Sequence, residues 1–213
     1  WLSSDSNLQK LAKAEAECIA SYYGVTKNEE TTFTKIMGNA VATVEQMTAY
    51  IKEKNPDVAQ SVVDMIPLYL LEGKAEGVRG DIAFAQSCLE TGNFGFFGSA
   101  VTLDQNNFCG MGVTSNGMRG NSFDTPQLGI RAQVQHLKAY ASSEELNQAC
   151  VDNRFQYVSR ESAPYVEWLG IQENPYGGGW AAGRSYGYKL RSLLAELKGE
   201  EYTWPESTET VEK

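Results

Sequence analysis

Hydrophobic positions along this chain recur mostly at helical spacing. Leu8, Leu11, Ala12, Cys18, Ile19 and Tyr22 do so over residues 7–23, and Val44, Met47 and Ile51 share one side of residues 43–54. A further helix is predicted over residues 58–71, kinked near Pro67, which lacks the N–H that a helix interior uses. Residues 73–80 read as a loop. Residues 81–91 read as the next helix, with Asp81 as its N-cap and Gly92 as the left-handed residue that ends it. Residues 92–126 change texture: they are rich in Gly, Asn, Ser, Thr and Phe and poor in helix formers. Asn116-Gly117 is a turn signal, so this segment reads as loops or a small β-hairpin. Helical patterns return over residues 127–141, 144–149, 163–169 (with Pro164 in the first turn) and 185–197, while 151–158 and 174–183 read as irregular. Residues 199–213 form a polar, acidic tail with little to bury. No internal repeat is visible. The pattern predicts a mainly α domain with a small irregular or β-hairpin insertion.

Composition narrows what such a domain can bind. The 213 residues suffice for one well-filled core or a core with a small appendage. A formal net charge of −9 argues against nucleic acid and against electrostatic docking on anionic membranes, and it is compatible with a neutral polysaccharide. No stretch is long and apolar enough to insert across a bilayer. The residues from Trp1 carry no leader pattern, and a mature form would have lost one, so compartment is not legible there. Cys18, Cys88, Cys109 and Cys150 match no zinc or thioredoxin spacing, so no metal or cofactor is expected. They read as buried free thiols, with Cys88–Cys109 and Cys18–Cys150 bridges as the alternative. His136 is the only imidazole; it sits in an amphipathic helical run and reads as structural. Arg79-Gly80-Asp81 spells an adhesion tripeptide, but a helix entry explains it better. Gly177-Gly178-Gly179 lacks the lysine and strand context of a phosphate loop and reads as a flexible rim.

The residue with the most chemistry is Glu90. It closes the helix 81–91, where the negative end of the helix dipole disfavours its ionised form. Phe94, Phe96, Phe97 and Phe108 lie just beyond, enough apolar surface to strip water from the carboxyl group. Both effects favour a proton held near neutral pH, as a general acid requires. From composition alone an ordinary solvated glutamate would be the reading; the motifs around it reverse that.

Ala85-Gln86-Ser87-Cys88-Leu89-Glu90-Thr91-Gly92, followed by Asn106-Asn107-Phe108-Cys109-Gly110-Met111-Gly112, resembles bacterial peptidoglycan glucosaminidases of glycoside hydrolase family 73. Residues 129–140 look like the helix after that family's active-site hairpin, and residues 180–190 like its C-terminal signature. Four motifs in the right order make the resemblance specific, over roughly residues 73–197. It implies a lysozyme-like fold that hydrolyses the β-1,4 bond between N-acetylglucosamine and N-acetylmuramic acid. It implies a catalytic domain over residues 73–198, with a helical extension packed on it (1–72) and the acidic tail (199–213). The expected partner is peptidoglycan glycan strands, met by a monomer secreted to or held at the cell wall, on the extracellular face of a bacterium.

By position, the resemblance makes Glu90 the catalytic acid and places Tyr186 by the scissile bond. Trp180 stands where the family usually has tyrosine, which keeps a stacking surface and loses a phenol. Gly183-Arg184 replaces the usual Asp-Pro. Glycoside hydrolysis usually needs a second carboxylate. Asp124 is the first choice, Asp104 the second, and a turn-forming role for Asp124 before Pro126 is the competing reading. The substrate's own 2-acetamido oxygen is a third route, with Tyr186 to orient it. Asn106 and Asn107 are expected to hydrogen-bond sugar, to close a structural turn, or both. Phe108 is expected under or at the cleft, and Trp180 against a pyranose ring or in the core. Alternatives to the glucosaminidase reading are an N-acetylmuramidase, a lytic transglycosylase, or a glycan-binding module without turnover.

Overall fold

The computed structural model describes residues 33–113 and 118–205, together with Leu11, Glu15, Cys18 and Tyr22. The chain divides into two units, Trp1–Phe33 and Thr34–Lys213. The helix expected over residues 7–23 lies outside the described residues except for those four, which are helical. The second unit is mainly helical. Its helices are α1 (Val44–Lys54), α2 (Gln60–Glu76), α3 (Gly80–Thr91), α4 (Pro126–Ala141) and α5 (Tyr186–Lys198), with short 3-10 turns at Leu103–Gln105, Phe155–Tyr157 and Val166–Leu169. Among the described residues the β contribution is three isolated bridges, Lys35 with Tyr165, Met37 with Val78 and Gly170 with Ala181.

Helix α3 is the centre of this unit. Residues from Gly80 to Cys88 are all buried, and α1, α2, α4 and α5 pack around them. Two close approaches make that packing possible. A Cβ at Gly80 would lie 2.1 Å from the Tyr69 carbonyl oxygen, and one at Gly129 would lie 1.7 Å from that of Asn106. The first lets α3 meet α2, and the second seats α4 against the insertion. Ile82, Ala85 and Cys88 join a core that also holds Ile66, Tyr69, Phe84, Phe94, Phe108, Ile130 and Leu190.

Several helix ends follow the expected chemistry. Thr43 caps α1 in a capping box with Gln46. Thr125 caps α4, with Pro126 in its first turn. Gly92 ends α3 at φ 59°. Asp81 departs from its expected role. Arg79 is the N-cap, and the Asp81 carboxylate is buried, accepting from the Val41 and Ala42 amides at 3.1 and 3.3 Å and pairing with Arg79 at 2.6 Å. That internal pair accounts for the Arg-Gly-Asp spelling.

Two further departures, in α2 and over residues 144–149, involve polar side chains turned inward. Helix α2 runs five residues past Leu71, through Pro67, to Glu76. Glu72 and Glu76 are both buried: Glu72 binds Arg131 at 2.8 Å and Glu76 binds Lys138 at 3.2 Å, which ties α2 to α4. Residues 144–149 form no helix, because the Asn147 and Gln148 amides donate to Glu76 at 2.8 and 3.1 Å instead of to helical carbonyls. In the 163–169 stretch only Val166–Leu169 is helical, as a 3-10 turn. Before it, the Pro164 carbonyl accepts from Ile36 at 3.1 Å. The described part of the insertion over 92–126 is irregular apart from the turn at Leu103–Gln105, with Asn121 N–H donating to the Met111 carbonyl at 2.8 Å; Asn116-Gly117 lies outside the described residues. All four cysteines are free, with Cys88 and Cys109 buried and Cys18 and Cys150 exposed. In the tail, the Arg191 guanidinium lies 5.3 Å from the Tyr202 ring centroid, so the described part packs on α5.

Candidate active site

One turn of α3 separates Gln86 from Glu90, so both side chains leave the same helical face. Tyr186, the first residue of α5, meets that face. Its buried hydroxyl donates to Glu90 Oε1 and accepts from Gln86 Nε2 at 3.1 Å. The Trp180 indole, in the loop before α5, also lies beside the Glu90 carboxylate, where it favours the ionised form. Glu90 itself is only partly buried, so a ligand can reach it. Burial pushes its carboxyl above the ordinary range, and the Tyr186 hydrogen bond and the neighbouring Trp180 indole pull in the opposite direction. Burial, and then the Glu90 charge, push the Tyr186 phenol well above its ordinary range, so it remains a donor.

Trp180 also lines a polar hollow of about 170 Å³, together with Cys109, Met111, His136, Tyr140 and Arg154 among others. His136 Nδ1 sits 2.7 Å from the buried Asp152 carboxylate, and its ring meets Trp180 edge-on with centroids 4.9 Å apart. Tyr140, one turn further along α4, donates to the Gly179 carbonyl at 2.8 Å, and Trp180 N–H donates to Leu169 at 2.8 Å. These bonds tie down the glycine run expected to be a flexible rim, and they fix the indole next to Glu90. Among the described residues, no group of three or more His, Cys, Asp or Glu side chains gathers as metal ligands do.

A sequence model of the glucosaminidases, described as mannosyl-glycoprotein endo-β-N-acetylglucosaminidase, matches residues 66–199. The chain belongs to the glucosaminidase family. It is therefore a glycoside hydrolase, and its mainly helical unit is consistent with the lysozyme-like fold expected of that family. A protein of Borreliella burgdorferi, described only as uncharacterized, is 41% identical over 155 residues, which is 72% of either chain. No solved structure matches.

Within this glucosaminidase, the residues singled out from sequence fall into two groups. Tyr186 is hydrogen-bonded to Glu90, and Trp180 lies beside the same carboxylate. The others are not in hydrogen-bond or ion-pair contact with Glu90 among the described residues. Asp124 is exposed just before the α4 cap and makes neither kind of contact there. Asp104 is exposed, 3.8 Å from Arg119; hydrogen bonds from Thr102 and its own backbone hold its carboxyl below the ordinary range. Asn106, at φ 52°, donates to the Phe123 carbonyl at 2.8 Å. Asn107 is 1% exposed, with both amide hydrogens given to the Met111 and Asn121 carbonyls and its oxygen accepting from Met111 N–H. Its amide is thus spent on the turn. Phe108 is 1% exposed and packs on Phe94 with centroids 5.9 Å apart, beneath the loop. Phe97, expected to shield Glu90, is 98% exposed, so it shields nothing.

The residues that sequence reading missed are the buried amides Gln86 and Gln133, and Tyr140 and His136 around the hollow. The signal for Gln86 was present. It lies four residues before Glu90 in a run whose neighbours are apolar, and a polar side chain there must find a partner.

Proposed function

We propose that this glucosaminidase cleaves the β-1,4 bond between N-acetylglucosamine and N-acetylmuramic acid in peptidoglycan, with Glu90 as the general acid. What supports the assignment is the setting of Glu90: its carboxyl group is raised by burial, hydrogen-bonded by the Tyr186 hydroxyl, flanked by Trp180 and only partly buried. Protonated Glu90 would give its hydrogen to the oxygen that leaves as the bond breaks, and the Tyr186 hydrogen bond then stabilises the carboxylate that remains. The partly exposed Trp180 ring would, in this reading, stack against a sugar that reaches Glu90. In this reading the protein works as a monomer outside the cell, where peptidoglycan lies.

Digestion of purified peptidoglycan, borohydride reduction and mass spectrometry test the bond assignment. Reduced N-acetylglucosamine ends are expected; reduced muramic ends or anhydro ends overturn it in favour of a muramidase or transglycosylase. The second catalytic group is decided by Asp124→Asn. A loss of about a hundredfold or more in kcat assigns Asp124 the base or nucleophile role; near-complete retention there and in Asp104→Asn assigns that role to the substrate's acetamido oxygen.

A further inference from the structure

Behind Tyr186 runs a line of buried polar side chains. The Tyr69 hydroxyl donates to Ser87 Oγ at 2.8 Å, and Ser87 Oγ lies 3.0 Å from Gln133 Oε1. Gln133 Nε2 donates to Gln86 Oε1 at 2.9 Å and to the Ala83 carbonyl at 2.9 Å. Gln86 Nε2 donates to the Tyr186 hydroxyl, which donates to Glu90. Tyr69, Ser87, Gln86 and Gln133 are completely buried, so water does not compete for any of these bonds.

The polarity of this line has one self-consistent solution. The Ala83 carbonyl can only accept, so it must face the amide nitrogen of Gln133. The Gln133 oxygen then faces Ser87, whose single hydroxyl hydrogen is shared between that oxygen and the Ala83 carbonyl at 3.1 Å, while Ser87 accepts from Tyr69. The second Gln133 hydrogen points at Gln86, so the Gln86 oxygen must turn toward it and the Gln86 nitrogen toward Tyr186. With a lone pair of its hydroxyl engaged by that nitrogen, Tyr186 has its hydrogen free for Glu90 alone. A reversal at any link would bring two acceptors or two donors together in the dry core.

We propose that Gln86 is a positioning residue for this reaction, held by Gln133 and acting through Tyr186. It aims the phenolic hydrogen at Glu90 Oε1 and leaves Oε2 to carry the acid hydrogen. This rests on the reading of Glu90 as the acid. A backbone carbonyl on α3 thus dictates, through three side chains, which oxygen of the catalytic carboxyl group is the donor. Gln86 touches no substrate in this scheme.

Neutron diffraction from crystals of the unmutated protein tests the arrangement directly. Deuterium on the Tyr186 oxygen directed at Glu90, with the Gln86 amide nitrogen facing Tyr186, is expected. Deuterium directed at Gln86, with the Gln86 oxygen facing it, overturns the proposal. Kinetics supply the second arm, with Gln86→Met and Tyr186→Phe made singly and together. Gln86→Met keeps the volume and removes the donor; it should lower kcat about tenfold, with KM little changed. It should also move the alkaline limb of the pH profile in the same direction as Tyr186→Phe. The double variant should match Tyr186→Phe alone. Losses that multiply, or an unchanged kcat in Gln86→Met, overturn the proposal. If Gln86→Met does not fold, the neutron result decides. Failure of the underlying reading has a separate signature: Glu90→Gln stays active while the hydrogen positions are as stated.

Discussion

Replacing Tyr186 by phenylalanine removes one oxygen atom and separates two consequences. The ring is buried between α3 and α5, so phenylalanine keeps the packing. The first consequence is structural. Gln86 Nε2 loses its acceptor inside the core, and an unsatisfied buried amide costs about 1–3 kcal/mol. In a unit of this size each kcal/mol moves Tm by about 2–4 °C, so a fall of roughly 2–12 °C is expected by calorimetry. The second consequence is chemical and has a definite sign. The Tyr186 hydrogen bond lowers the Glu90 pKa against the opposing effect of burial. Without it the carboxyl group holds its proton to higher pH. If Glu90 must be protonated to act, the alkaline limb of kcat/KM moves upward, even as kcat falls because the carboxylate formed in the transition state has lost a donor. Initial rates of cell-wall clearing, measured from about pH 4 to pH 9, read both effects. A limb that stays in place, or moves to lower pH, refutes the claim that this hydroxyl stabilises the ionised form of an essential acid.

Three further outcomes follow from the same structure. Because burial raises the folded-state pKa of Glu90, its contribution to stability is fully present below the ordinary carboxylate range and is lost as pH rises through the raised value. Glu90→Gln should therefore gain in Tm over the unmutated protein as pH increases from the acid side; a difference independent of pH contradicts the raised value. Lys138→Met leaves the Glu76 carboxylate in the core without its cation, and urea unfolding should register a loss of about 3–5 kcal/mol. Asp124→Asn should leave stability within about 0.5 kcal/mol, since its exposed carboxylate has no partner among the described residues, so any loss of turnover it causes is chemical.

Much of the fold was legible because it rests on local signals. Gly92 marks the end of α3 by cap chemistry that operates within one turn, and Val44, Met47 and Ile51 mark the buried side of α1 by their spacing. Glu90 and Tyr186 were legible as a pair only through the resemblance, since 96 residues separate them and no local rule joins them. What was not legible depends on partners distant in sequence. Glu76 looks like the start of a loop until Lys138 and the Asn147 and Gln148 amides close around it, which also explains why residues 144–149 are not helical. Asp81 is the residue type an N-cap uses, but Val41, Ala42 and Arg79 claim its oxygens first. Phe97 shows the converse: aromatic residues clustered in sequence need not cluster in space, and this one faces solvent. Gln86 and Gln133 are invisible to hydrophobic periodicity because it treats every polar residue as exposed, whereas a chain of amides satisfies itself in the core.

The proton that breaks the glycosidic bond comes, in this mechanism, from Glu90. Single-turnover cleavage of purified peptidoglycan by Glu90→Gln, with glycan binding measured on the same preparation, is the decisive measurement. Binding within a few-fold of the unmutated protein and a bond-breaking rate lower by about 10²–10⁴ is the predicted result. Cleavage at the unmutated rate, with binding intact, contradicts it.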